Sequence, residues 1–264
     1  MIDVREYGAS GPRVILLHGG PGAPGHMAPV GRGLASGFRV LEPFQRISGG
    51  PPLTVARHLD DLHEVIESLD AKKPVHLVGS SWGAMLALAY AAHHPTRVDR
   101  VVPIGCGTFD PVARQHFEAT VRERMGAELS ARIRGSETEI EDSDERLRFK
   151  ADLLLPLYSH DPITTEMENE RVDARGNRET WDDMLRLQAE GVYPAVFRHI
   201  TGPVLMLHGA RDPHPGRMIR ASLTPHIPHL EYHEWEHCGH YPWLERAVRD
   251  EFFSRLAGWL ASAG

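Results

Sequence analysis

Residues 74–94 read Pro74-Val75-His76-Leu77-Val78-Gly79-Ser80-Ser81-Trp82-Gly83-Ala84-Met85-Leu86-Ala87-Leu88-Ala89-Tyr90-Ala91-Ala92-His93-His94. The run Pro74–Gly79 is short, apolar and closed by glycine, the pattern of a buried strand. Trp82–His94 is rich in alanine and leucine and halts near Pro95, the pattern of a helix. Between them lies Gly79-Ser80-Ser81-Trp82-Gly83, a G-x-S-x-G sequence. A sharp strand-to-helix turn lifts the middle serine hydroxyl above a sheet, and the flanking glycines remove the crowding. The first helical N–H, that of Trp82, points into the same space, where a developing oxyanion can be held. Alone, G-x-S-x-G describes any glycine-bracketed helix start. The strand before it and the helix after it single out Ser81 as a nucleophile. Ser80, at the first variable position, is expected to pack or to make a local hydrogen bond.

Upstream, Arg13–His18 reads as another buried strand, followed by Phe38–Leu41. Thr54–Asp70 reads as a helix, because Val55, Leu59, Leu62, Ile66 and Leu69 form one apolar stripe, with Thr54 as N-cap. The first strand runs into His18-Gly19-Gly20-Pro21-Gly22, whose glycines allow a tight turn and close approach to a ligand. Paired with a serine elbow, this loop is expected to supply the second oxyanion donor. Pro21 has no N–H, so the donor is Gly20. His18 is expected to orient the loop.

Val98–Ile104 is the next strand. From Thr108 to His199 strand-like runs vanish and helical patterns dominate. That stretch carries an acidic cluster at Glu137, Glu139, Glu141, Asp142, Asp144 and Glu145. The cluster is a solvated face, or an attraction for cationic substrates. Strand rhythm returns at Pro203–His208 and Leu230–Trp235, and an amphipathic helix over Leu244–Leu260 closes the chain. The expected fold class is α/β, a mostly parallel central sheet flanked by helices. Residues 1–107 and 200–264 form its core. Residues 108–199 form a helical cap inserted between core strands, above the strand ends where open α/β sheets place ligands.

A serine elbow of this kind is followed in the chain by its acid and then its base. Asp212 lies just after the strand ending at His208, where a buried carboxylate can fix an imidazole tautomer. His240, after Gly239 and before the terminal helix, is the preferred base over His237. A rival sits nearby: His233-Glu234-Trp235-Glu236-His237 matches H-E-x-x-H, which binds zinc when both histidines share a helical face. Leu230–Trp235 instead alternates like a strand, and no third ligand stands out. No metal or cofactor is implied.

Taken together, the chain resembles the α/β-hydrolase superfamily over nearly its whole length. In His18–Gly22 and Ser80-Ser81-Trp82-Gly83 it is most similar to the proline iminopeptidase-like branch. Such peptidases carry Asp-Gln-Arg-Gly after the second of these strands; here Glu42-Pro43-Phe44-Gln45-Arg46-Ile47-Ser48-Gly49 keeps only Gln-Arg. The N-terminal portion is short, so a reduced early hairpin is expected. The resemblance implies hydrolysis through Ser81, Asp212 and His240, with the N–H groups of Gly20 and Trp82 as oxyanion hole. A small ester, lactone or amide is the first reading and a proline iminopeptidase-like aminopeptidase the alternative. The peptidase reading would use cap carboxylates to hold a free amine, with Glu137–Glu145 or Glu166, Glu168 and Glu170 as candidates. A zinc hydrolase, or a ligand-binding protein that keeps the fold without turnover, is more remote.

Composition narrows the classes further. A net charge of -7 gives no basic stripe for nucleic acid. No uncharged apolar run reaches the roughly 18 residues of a membrane span. Met1–Glu6 carries acids where a secretory signal needs a basic start, and two cysteines, Cys106 and Cys238, make no disulfide framework. The expectation is a cytoplasmic enzyme acting on a small molecule.

Overall fold

A computed structural model describes residues 2–22, 24–69, 73–168 and 171–262. The end of the predicted Thr54–Asp70 helix and the candidate Glu170 lie outside these residues. Seven strands form one sheet: β1 (Val4–Tyr7), β2 (Arg13–Leu17), β3 (Arg39–Pro43), β4 (Val75–Ser80), β5 (Val98–Ile104), β6 (Val204–Gly209) and β7 (Leu230–Trp235). Their order is β1-β3-β2-β4-β5-β6-β7, and only β1 runs antiparallel to its neighbour.

The inner strands are apolar at nearly every position because both faces of the sheet are covered. Ile15, Leu17, Leu77, Val101 and Met206 pack on one face against α2 (Val55–Ser68), α3 (Trp82–His93) and α7 (Gly216–Leu223). Val14, Leu16, Val78, Val102 and Leu207 pack on the other against α1 (Ala28–Leu34) and α8 (Arg249–Ala261). Each such side chain contributes about 1.5–3 kcal/mol by leaving water. In α3, Trp82–Ala92 are all buried, so this helix carries no polar face. α2 begins as the sequence implies, with the Thr54 hydroxyl accepting from the Arg57 N–H at 3.2 Å.

Between β5 and β6, which are sheet neighbours, the chain builds α4 (Pro111–Glu139), α5 (Ser143–Leu154) and α6 (Ala174–Ala189). α4 is interrupted at Gly126, whose φ is 64°. The stretch after α6 returns to the core, where Tyr193 and Phe197 join the cluster around α3.

Three elements differ from the pattern reading. β1 is a short edge strand with no apolar alternation, and it stands as a single strand antiparallel to β3. α1 contains Pro29, Gly31 and Gly33, so intrinsic propensity hides it. The terminal helix starts at Arg249 rather than Leu244. Pro242–Leu244 makes a tight turn and Glu245 is extended. The buried Glu245 carboxylate points inward, accepting from the N–H groups of Gly239, His160 and Asp161 at 2.7–2.8 Å.

Candidate active site

Ser81 sits where β4 turns into α3, with φ 56° and ψ −118°. Among the described residues it alone has a positive φ without being glycine. Such a conformation costs of order 1–3 kcal/mol and persists only where its surroundings impose it. Here the Ser81 N–H donates to the Ile104 carbonyl at 2.9 Å. The turn is closed by backbone packing that admits no side chain: a Cβ on Gly79 would lie 2.1 Å from the Gly83 oxygen. One on Gly83 would lie 2.0 Å from the Leu17 oxygen. Gly83→Ala is therefore expected to lower unfolding stability by roughly 1–3 kcal/mol, measured by urea denaturation. Ser80 is fully buried, as its packing role requires, but its hydroxyl makes no hydrogen bond.

The loop after β2 lies directly against this turn, since a Cβ on Gly19 would approach the Ser81 Cβ to 2.9 Å. Gly20 has φ 83°, and among the described residues its N–H has no acceptor. The Trp82 N–H opens α3 and so has no partner within the helix. His18 orients the loop. Its Nε2 accepts from the Gln45 N–H at 3.0 Å, which leaves the proton on Nδ1, donated to the Gly19 carbonyl at 3.0 Å. Gln45 also donates to the His18 carbonyl at 2.8 Å and accepts from the Trp82 indole at 2.8 Å, joining both sides of the turn. From above, Asn177 on α6 donates to the Gly20 and Pro21 carbonyls, and the Asp173 N–H donates to the Gly22 carbonyl at 2.9 Å.

Burial lowers His18 from 6.5 to about 3. It also lowers His58, whose Nε2 lies 2.9 Å from the Thr180 hydroxyl, from 6.5 to about 4. In the unfolded chain both titrate near their ordinary value, so that chain binds protons the folded one refuses. Their neutral burial therefore weighs against folding only as the pH falls below about 6.5, toward the folded values. Each histidine is expected to remove about 2 kcal/mol of stability between about pH 7.5 and pH 5. Urea midpoints across that range check this, and His58→Gln should flatten the slope.

Across the site, Asp212 follows β6 and is fully buried in its side chain. Its Oδ2 lies 2.6 Å from the His240 Nδ1, and its Oδ1 lies 2.9 Å from both the backbone N and the ring Nδ1 of His214. His208 Nε2 is 3.4 Å from Oδ2. Burial pushes the Asp212 carboxyl up, but His240, His214, His208 and the His214 hydrogen bond outweigh it. They hold the group well below the usual carboxylate range. The His240 N–H donates to the Tyr158 carbonyl at 2.7 Å, and the His240 ring lies between His214 and Tyr241. Gly105 leaves it room, since a Cβ there would sit 2.8 Å from Nδ1.

Gly20, Ser81, His214 and His240 open onto one cavity of about 520 Å³, roofed by side chains of the helices between β5 and β6. The fold thus brings Ser81, His240 and Gly20 to one space, with Asp212 behind His240. The Trp82 side chain turns away toward Gln45. Residues 12–247 match the alpha/beta hydrolase fold family.

The chain belongs to that family. Among its relatives is the 2-hydroxy-6-oxononadienedioate/2-hydroxy-6-oxononatrienedioate hydrolase of Cupriavidus pinatubonensis. It is 27% identical over 93% of this chain and 86% of its own. The enol-lactonase of Burkholderia xenovorans LB400 superimposes with a TM-score of 0.62 at 19% identity, covering 99% of this chain and 96% of that one. An esterase of Exiguobacterium antarcticum does so with a TM-score of 0.65 at 20% identity, covering 99% and 96%. No helix among the described residues of this hydrolase is long and apolar enough to cross a membrane.

The H-E-x-x-H segment of the hydrolase has no helical face. His233 lies on β7, while His237 lies in the turn beyond it with its ring stacked on His160. Among the described residues, the one trio able to offer ligand atoms to a metal is Asp212, His214 and His240, in which each histidine already bonds the Asp212 carboxylate. The described candidates for amine binding have other partners. Glu137 pairs with Lys150 and Arg146, and Glu168 pairs with Arg32. Of the described acids in those stretches none lines the cavity, whose carboxylates among the described residues are Glu118 and Asp152. Sequence reasoning missed Gln45, Asn177, His214 and Glu245. Only Gln45 had a signal, in the Gln-Arg remnant.

Proposed function

We propose that this hydrolase cleaves a small carboxylic ester, lactone or amide through an acyl-enzyme on Ser81. The observation that carries the reading is the buried Asp212–His240 pair opening onto the same cavity as the strained Ser81 turn. In the proposed cycle His240 Nε2 takes the Ser81 proton as the hydroxyl attacks the carbonyl carbon. Asp212, charged throughout, holds the Nδ1 proton and stabilises the imidazolium. The N–H groups of Gly20 and Trp82 receive the oxyanion. His240 then returns its proton to the leaving group, and water releases the acid by the same steps. Residues 108–199 act as the cap over this chemistry.

A substrate panel tests the reading. Short-chain p-nitrophenyl esters and lactones should turn over faster than prolyl anilides, with little response to a free amine, because none of the described amine-binding candidates lines the cavity. A strong preference for N-terminal proline would restore the peptidase reading. The Cupriavidus relative supports a second substrate class, the oxo-dienedioates of its name. Such a compound would present a ketone carbonyl to Ser81, so one belongs in the panel.

A further inference from the structure

We infer that Arg114, on the first turns of α4, anchors a carboxylate carried by the substrate at a distance from the bond cleaved. The inference rests on the hydrolytic reading of Ser81 for the word substrate, and on the cavity alone for the anion.

The cavity is lined largely by apolar side chains, among them Phe117, Leu154, Met167 and Trp181. A cation in such surroundings is disfavoured unless an anion or several hydrogen bonds compensate it. Three cations line the space: Arg114, Arg148 and Lys150. Lys150 is paired with Glu137, and Arg148 is exposed to solvent. Arg114 is half-buried, and among the described residues it makes no ion pair. Among the described residues the one hydrogen bond of its guanidinium runs from Nη2 to Gln188 Oε1, a neutral partner. Gln188 is itself fixed, its amide donating to the Thr108 carbonyl at 3.1 Å. The guanidinium is thus held by one corner with its other N–H groups unused.

The nearby carboxylates do not complete it. Asp110 caps α4, accepting from the Ala113 N–H at 2.8 Å, and Glu118 is exposed. Burial lowers the Arg114 pKa, which Glu118 and Asp110 only partly offset, so the charge is incompletely compensated. A planar fork with free donors at the edge of an apolar cavity matches a carboxylate, which can accept two parallel N–H bonds. The substrate so defined is an acyl compound with an apolar spacer and a terminal carboxylate.

The test compares mono-p-nitrophenyl esters of glutaric, adipic and suberic acids with their ω-methyl esters. At the best chain length, wild type should favour the free carboxylate by about 10–100-fold in kcat/KM. Arg114→Gln should remove that preference while leaving the ω-methyl ester within about threefold, which also shows that the variant folds. Equal rates for both esters in wild type, or an equal loss on both in the variant, would overturn the inference. Calorimetric binding of monomethyl adipate to the Ser81→Ala protein, with and without Arg114→Gln, separates this inference from the hydrolytic reading. Arg114-dependent binding without turnover by the Ser81 enzyme sinks the chemistry and keeps the anion site. Binding that ignores Arg114, or no binding at all, sinks the site.

Discussion

A fluorophosphonate probe is expected to label this hydrolase stoichiometrically at Ser81, and Ser81→Ala to abolish both labelling and turnover. The expected fall in kcat is roughly 10³-fold or more, the scale seen when a triad member is removed. The geometry makes the test sharp because two serines are adjacent. Ser81 lines the cavity with its backbone forced to φ 56°, whereas Ser80 is fully buried on β4. Alanine keeps the Cβ and can hold the same strained turn, so the variant should fold with nearly unchanged stability. Peptide mapping of the labelled protein decides the matter. Label on Ser80, or none on a folded sample, would remove the proposed mechanism.

His240→Ala is expected to cost about 10³-fold or more in kcat, and His237→Ala far less. The two lie three residues apart, but their surroundings differ. His240 is buried against Asp212 with Nδ1 2.6 Å from the carboxylate, while His237 is exposed against His160. Asp212→Asn should fall between them, since an amide can hold the ring but offers no charge to the imidazolium. His214 adds a control. It shares the Asp212 carboxylate through Oδ1, so His214→Ala should lower kcat less than His240→Ala. A larger loss at His237 than at His240 would mean that the base has been assigned to the wrong turn.

Much of this was determined by local sequence. The run Val75–Ser80, the glycines at 79 and 83 and the alanine-rich helix after them specify a strand, a turn without room for side chains, and a buried helix. All three follow from apolar periodicity and the absence of Cβ atoms. The same local logic placed Asp212 beyond β6 and His240 beyond β7, since each follows a strand by a few residues. The tertiary structure decided what those residues meet. Gln45 reaches His18 across 27 positions and Trp82 across 37, and Asn177 reaches Gly20 across 157. Glu245 turns inward to hold Gly239 and His160 together, cutting short the helix that Leu244–Leu260 suggested. Arg114 acquires meaning only because α4 and α6 bring it beside Gln188 at an apolar cavity. Such pairings obey no period along the chain. They arise where separately folded elements pack, and a buried polar group there must find its partner in three dimensions.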